Sequence, residues 1–175
     1  MHLAARRRGG GALSGSEGGG AVRATLTRRE RWLLRLLNLW PPYLGAGVRV
    51  RPVPGRRAVD VRLVLRFWNR NYFGTQFGGS LYSMCDPFLC LLALGGLGGG
   101  YVVWDKAAEV RFVRPGRGPV SARFELTAIR RDADRLGKVE PRFRVEVCDG
   151  QGEVVAEIDK LLYVRRKERA APAEG

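Results

Sequence analysis

The stretch from Phe77 to Trp104 limits the possible folds of this chain more than any other feature. Within it, Asp86 is the only side chain expected to carry a charge. Its continuous apolar part, Leu81 to Leu94, would reach roughly 21 Å as a helix, short for a bilayer crossing and right for a buried element. Leu81, Met84, Phe88, Leu89, Leu91 and Leu92 fall all the way round such a helix, so something must enclose it. Pro87 is expected to kink it or to start its second part. The glycines from Gly95 to Gly100 are expected to end it.

The segments around it read as strands. Val48, Val50 and Val53 run up to a Pro54-Gly55 turn. Val59, Val61, Leu63, Leu65 and Phe67 then alternate with Asp60, Arg62, Val64 and Arg66, a period of two with one buried and one wet face. After the helix, Lys106 to Phe112, Val120 to Leu126, Phe143 to Val147 and Val154 to Val164 give four more strands. The charged stretch from Arg130 to Pro141 is expected to be a loop. Upstream, Thr27-Arg28-Arg29-Glu30 is a capping box and opens a helix over 28–40 that Pro41-Pro42 ends. Leu33, Leu36, Leu37 and Trp40 form its apolar face, either docked on the domain or lying on a membrane surface; docking is the reading taken. The order predicts an α+β fold, a curled antiparallel sheet around one buried helix with a short N-terminal helix. Residues 23–166 form the domain, with its core in 43–166. Residues 1–22, rich in Gly and Arg, and 167–175 are expected to be disordered tails.

Composition removes several function classes. His2 is the only histidine and lies in the tail, so His-based triads, Cys-His pairs and His metal sites are excluded; no metal or cofactor is expected. Cys85, Cys90 and Cys148 are odd in number, lack zinc spacing, and fit a reducing, cytoplasmic compartment. The net charge is +14, which invites a nucleic-acid reading. Only Lys106, Lys138, Lys160 and Lys167 are lysines among 31 basic residues, so an arginine-rich codon bias accounts for the charge as well as a polyanion does. The run Phe67 to Phe73 mixes aromatics and arginine, yet no recognition motif accompanies it. Neither a nucleic-acid nor a membrane partner is expected.

Asn71-Tyr72-Phe73-Gly74-Thr75-Gln76-Phe77-Gly78-Gly79 followed by Asp86 resembles the hotdog-fold acyl-CoA thioesterases of the phenylacetate-degradation type. In that family an Asn-x-x-Gly segment leads into His-Gly-Gly at the mouth of the central helix, and a carboxylate follows about two turns later. Together with Cys85-Asp86-Pro87, Trp104-Asp105-Lys106 and Phe112-Val113-Arg114-Pro115-Gly116-Arg117, the pattern is most similar to a bacterial domain-of-unknown-function branch of the superfamily. Phe77 stands where the family has histidine.

The resemblance implies a hotdog domain that hydrolyses acyl-CoA or a related acyl thioester. The site would lie between subunits of a homodimer, or of a dimer of dimers. Asp86 would be general base or nucleophile; a structural alternative is a carboxylate that caps backbone around Pro87 or pairs with a cation. Gly78 and Gly79 would offer N–H groups to an oxyanion, or simply make a tight turn. Asn71 would orient water or the thioester carbonyl, or serve its own turn. Phe77 and Tyr82 would line the substrate site. Arg114 and Arg117 would bind coenzyme A phosphates, or be a solvated turn. The rival readings are a non-catalytic acyl-thioester binding module and, lower, a nucleic-acid binder.

Overall fold

The computed structural model describes residues 23–126 and 130–167; the expected tails at 1–22 and beyond 167 lie outside the described residues. The elements are α1 (Arg28–Leu36), a 3₁₀ turn (Leu37–Leu39), α2 (Pro41–Ala46), β1 (Val48–Pro52), β2 (Ala58–Leu63), α3 (Gly78–Ser83), α4 (Phe88–Leu97), β3 (Tyr101–Phe112), β4 (Val120–Glu125), α5 (Arg130–Leu136), β5 (Lys138–Val139), β6 (Arg142–Cys148) and β7 (Val154–Arg166). All strands pair antiparallel in one sheet of order β1-β2-β4-β6-β7-β3, with β5 also on β7. Strand β7 lies in the middle of the long pairings, bonded to β6 on one side and β3 on the other. The outer edge of β3 has no strand beside it among the described residues.

Alternation builds the sheet's two faces. Strand β4 buries Val120, Ala122 and Phe124 and exposes Ser121, Arg123 and Glu125. The wet face carries cross-strand ion pairs: Arg123 to Asp60 at 2.6 and 3.0 Å, Arg144 to Asp159 at 3.0 Å, and Arg56 to Glu125 at 3.2 Å. Much of the basic charge on this face is therefore met by carboxylates rather than presented to a polyanion. The inner face packs on α4, where Phe88 lies between Phe124 and Tyr43 with ring centroids 5.3 and 6.0 Å away.

Several expectations shift. The apolar helix is two helices, α3 and α4, broken at Met84 to Pro87, as the proline suggested. It is not enclosed on every side: Tyr82, Leu91 and Leu94 stay about one-third exposed, because the sheet covers one face, α1 another, and nothing among the described residues covers the third. Gly95 and Gly96 belong to α4 rather than ending it. Strand β2 stops at Leu63, and Phe67 is 77% exposed, since the inward register runs out where the chain leaves β4. The Arg130 to Pro141 stretch is α5 and β5 rather than loop. Pro41-Pro42 end one helix and open the next, occupying the first turn of α2, where a missing N–H costs nothing.

The capping box forms as expected, with Thr27 N–H donating to Glu30 at 2.7 Å and Glu30 N–H to Thr27 at 3.2 Å. Glu30 also anchors α1. Arg57, 3% exposed, donates to Glu30 Oε1 at 2.8 Å and to the carbonyls of Arg23, Thr25 and Leu92 at 2.6, 2.8 and 3.3 Å. This cluster fills the space beside Gly95, where a Cβ would stand 1.9 Å from Glu30 Oε1. Burial pushes the Glu30 carboxyl up, but hydrogen bonds from Arg57 and Thr27 and the Arg57 charge hold it at about 2. A carboxyl lowered from its ordinary 4.5 stabilises the fold above that value and loses the contribution as pH falls toward 2. Glu30→Gln is expected to cost about 1–3 kcal/mol at neutral pH by leaving Arg57 underpaired. The gap to wild type should close on acidification through this window, as followed by melting temperature against pH.

Candidate functional site

The break between α3 and α4 presents Asp86. Cys85 N–H still donates to Tyr82 O at 2.8 Å, then the helix stops and restarts at Phe88. The Tyr43 hydroxyl donates to the Asp86 carbonyl and fixes the backbone there. The Asp86 carboxylate meets Lys160 Nζ at 2.9 Å. Lys160 is 1% exposed and also reaches Asp105 at 3.0 Å; its ammonium stands 5.7 Å from the centroid of the Tyr82 ring.

Each partner arrives by strand register. In β7 the residues Ala156, Ile158, Lys160, Leu162 and Val164 all point into the core, so Lys160 occupies an inward place among aliphatic neighbours. In β3, Tyr101, Val103 and Asp105 share the inward side, and a bulge follows in which Lys106 has no partner on β7. Bulges of this kind re-aim a strand beside a site.

Burial by itself would lower the Lys160 ammonium, but its bonds to Asp86 and Asp105 outweigh this and raise it, so Lys160 is a fixed cation. Asp105 is raised by burial and by the nearby Asp86, against the opposing pull of Lys160. The neighbouring thiols are inert: burial pushes Cys85 up to about 12 and Cys90 up to about 11. No group of His, Cys, Asp and Glu among the described residues could hold a metal ion.

The other expected site residues gather at the far end of α3. A cleft of about 590 Å³ is lined by Asn71, Gln76, Gly78, Phe112, Arg114 and Arg117, with others. Ser80 and Leu81 make the first helical hydrogen bonds to the Phe77 carbonyl at 3.0 and 3.1 Å, so the N–H groups of Gly78 and Gly79 precede the helical ladder. The Phe77 ring, 54% exposed, lies over Gly79, where a Cβ would be 2.5 Å away. Gly78 is approached less closely, by Phe112, at 3.0 Å from where a Cβ would stand.

Asn71 spends its amide on its own loop. Its Oδ1 accepts from Phe73 and Thr75 N–H at 3.0 Å, and its Nδ2 donates to Thr75 Oγ1 at 2.9 Å. Arg114 is bound to Asp149 at 2.6 Å and to the Val154 carbonyl at 3.1 Å. Arg117 is exposed and has no ion-pair partner among the described residues.

The structure thus brings Asp86 and Tyr82 together at one end of α3, and Asn71, Phe77, Gly78, Gly79, Arg114 and Arg117 near the other. The two groups are separated by roughly 10 Å of helix. Lys160, Asp105 and Gln76 were missed by sequence reasoning. The inward register of Lys160 between Ile158 and Leu162 was the available signal. Gln76 is 4% exposed; its Nε2 donates to Gly118 O at 2.9 Å, while its Oε1 finds no partner among the described residues.

A family model described as a domain of unknown function (DUF4442) matches residues 22–164. The chain belongs to this family. Among solved structures it is similar to a Pseudomonas aeruginosa protein of unknown function described as a probable thioesterase. That match has a TM-score of 0.69 and 26% identity, over 82% of this chain and 99% of the other. A Haemophilus influenzae thioesterase matches with a TM-score of 0.61 at 14% identity, over 87% and 100% of the two chains. PaaI, from the Escherichia coli phenylacetic acid degradation operon, matches at 0.53 and 14%, over 80% and 95%. No protein of curated function matches the sequence. The DUF4442 chain has the hotdog fold of the thioesterase superfamily.

The ion cluster has a stability consequence of its own. Removing the cation leaves two carboxyls facing each other under the helix break, and breaking a buried pair from one side costs about 3–5 kcal/mol. Lys160→Met is expected to lose stability on that scale in urea denaturation. Adding Asp86→Asn and Asp105→Asn to it should restore most of the loss.

Proposed function

We propose that this protein hydrolyses acyl thioesters, acyl-CoA foremost, in a site completed by a second copy of the chain. The observation that carries the reading is Asp86. It is a carboxylate at a helix break in an apolar segment, 42% exposed at the side chain and held by a cation that is wholly buried. Lys160 fixes the direction of Asp86 without covering it, which suits a group that must reach water or substrate. The reaction balances simply. Asp86 takes a proton from water as the water oxygen bonds to the thioester carbonyl carbon. The carbonyl oxygen becomes an oxyanion facing the N–H groups of Gly78 and Gly79. The C–S bond then breaks, and the leaving thiolate takes the proton back. Attack by Asp86 itself, followed by hydrolysis of the anhydride, uses the same groups.

Within one chain Asp86 and the glycines stand at opposite ends of α3, and pairing two copies supports their meeting. The 12-residue strand β3 offers an open edge, the exposed Phe112 and Trp104 lie on it, and Tyr82 and Leu94 leave further apolar helix surface exposed. Such an edge calls for a strand partner. Arg117, free at the rim of the cleft, would take a phosphate of coenzyme A; Arg114, tied to Asp149, would shape the turn.

Asp86→Asn keeps the shape and removes the base, so kcat is expected to fall about 10²-fold or more with the fold intact. Steady-state hydrolysis of several acyl-CoAs, with melting curves on both proteins, checks this; equal rates would make the carboxylate structural. Arg117→Ala should raise KM for acyl-CoA and leave kcat nearly unchanged, as expected for binding shared by ground and transition state. A non-catalytic acyl-thioester binding module is favoured by one feature, the Phe77 ring lying over Gly79 where the family's histidine would stand. Binding of acyl-CoA with no turnover by the wild type would decide for it.

A further inference from the structure

The apolar face of α1, expected to dock inward, is largely open. Only Leu34 is buried in α1. Leu33 is 46% exposed, Leu36 39%, Leu39 68% and Trp40 47%, and these four line one shallow groove against α4. On the adjoining surface Trp32, 60% exposed, sits with Arg28, Arg31 and Arg35. Arg28, Arg29, Arg31 and Arg35 make no ion pair among the described residues, unlike the arginines of the sheet's wet face. The one carboxylate of α1, Glu30, is used up by Arg57.

The segment is also held rigidly. Asn38 bonds both the N–H and the carbonyl of Val50, at 2.8 and 3.0 Å. The patch is therefore a fixed feature of the fold. It lies against β1, the opposite end of the sheet from β3, so pairing two copies along β3 would leave it uncovered.

We propose that the α1–α2 surface docks on an anionic lipid bilayer. Unpaired arginines next to exposed Trp and Leu on a short helix are the chemistry of an interfacial anchor. The arginines meet lipid phosphates, and Trp32, Leu33, Leu36, Leu39 and Trp40 enter the headgroup boundary. A second protein copy would gain from the apolar residues but would meet four unpaired positive charges and their own repeats. An anionic surface satisfies both components at once. This docking is independent of thioester hydrolysis and is read without it.

The test is co-sedimentation of the full chain with vesicles of phosphatidylcholine alone and of phosphatidylcholine mixed with phosphatidylglycerol, at low and high salt. Binding is expected only to the mixed vesicles, weakening with salt. Arg28→Gln combined with Arg35→Gln should weaken it by about fivefold per arginine. Trp32→Ser with Leu39→Ser should abolish most of the remainder, while melting temperature and acyl-CoA turnover stay as in wild type, since neither residue is in the core or the site. The arginine pair serves as the readout if the apolar pair fails to fold. No binding of the wild type to the mixed vesicles overturns the proposal. Binding that both double variants retain also overturns it, because the net charge of the chain would then suffice. A change of oligomeric state in Leu39→Ser by light scattering, without vesicle binding by the wild type, assigns the patch to a second copy instead.

Discussion

A single ammonium holds three separate parts of this fold in place. Lys160 projects from the central strand into an otherwise aliphatic layer and meets Asp86 from the helix break and Asp105 from the edge strand. A lysine cannot be left there alone, since an unpaired buried charge is far costlier than the packing around it is worth. Its position therefore demands carboxylates at that spot, and the chain supplies one from the neighbouring strand β3 and one from the helix break. The break in the helix follows the same demand. An unbroken helix through residues 84–87 would carry its own backbone hydrogen bonds past the ammonium. The broken one releases Asp86 toward it, with Tyr43 holding the carbonyl of the same residue.

A second anchor, Arg57, does the same service on the other side of α4. It ties α1, the segment before it and the Leu92 carbonyl together, and Gly95 is the small residue that lets this happen. The helix at the heart of the hotdog fold is thus gripped by cations from both flanks. One faces the candidate chemistry, while the other only fastens the N-terminal helix. The two are told apart by what remains open: the Asp86 side chain is 42% exposed, that of Glu30 only 22%.

The alternation of β2, β4, β6 and β7 was legible in the sequence because each strand has one face in water and one in the core, and a period of two reports that contrast directly. The capping box at Thr27 was legible because its two hydrogen bonds are local. Lys160 was not singled out, because a lone lysine in a strand reads as a wet-face residue until the register of Ile158 and Leu162 is counted against it. The helix α5 was hidden because its charged residues at 130–136 carry no clear apolar stripe. Spacing along the chain placed Asp86 about two turns from Gly79. It could not say that the two would face different surroundings, Asp86 the Lys160 cluster and Gly79 the Phe77 ring. Nor could it tell that Asn71 would turn its amide back on its own loop, since that depends on the backbone of residues 73–75.

The bulge in β3 gives the strand an unusual tolerance of length. Before it Tyr101, Val103 and Asp105 share the side turned to the core; after it Ala108, Val110 and Phe112 take up that register opposite Lys160, Ile158 and Ala156, with Ala108 and Phe112 exposed where the strand outruns the core. The parity changes from odd to even across Lys106, which is how one strand delivers Asp105 to the ion cluster and Phe112 to the cleft. A chain lacking Lys106 would run as a regular strand with all six of those residues still in one register. Loss of one residue other than Lys106 or Ala107 would turn one of the two halves inside out. The bulge is thus where a one-residue deletion leaves the chemistry of both ends in phase, at the expense of the local bend and, if Lys106 is the residue lost, of its ion pair with Glu140.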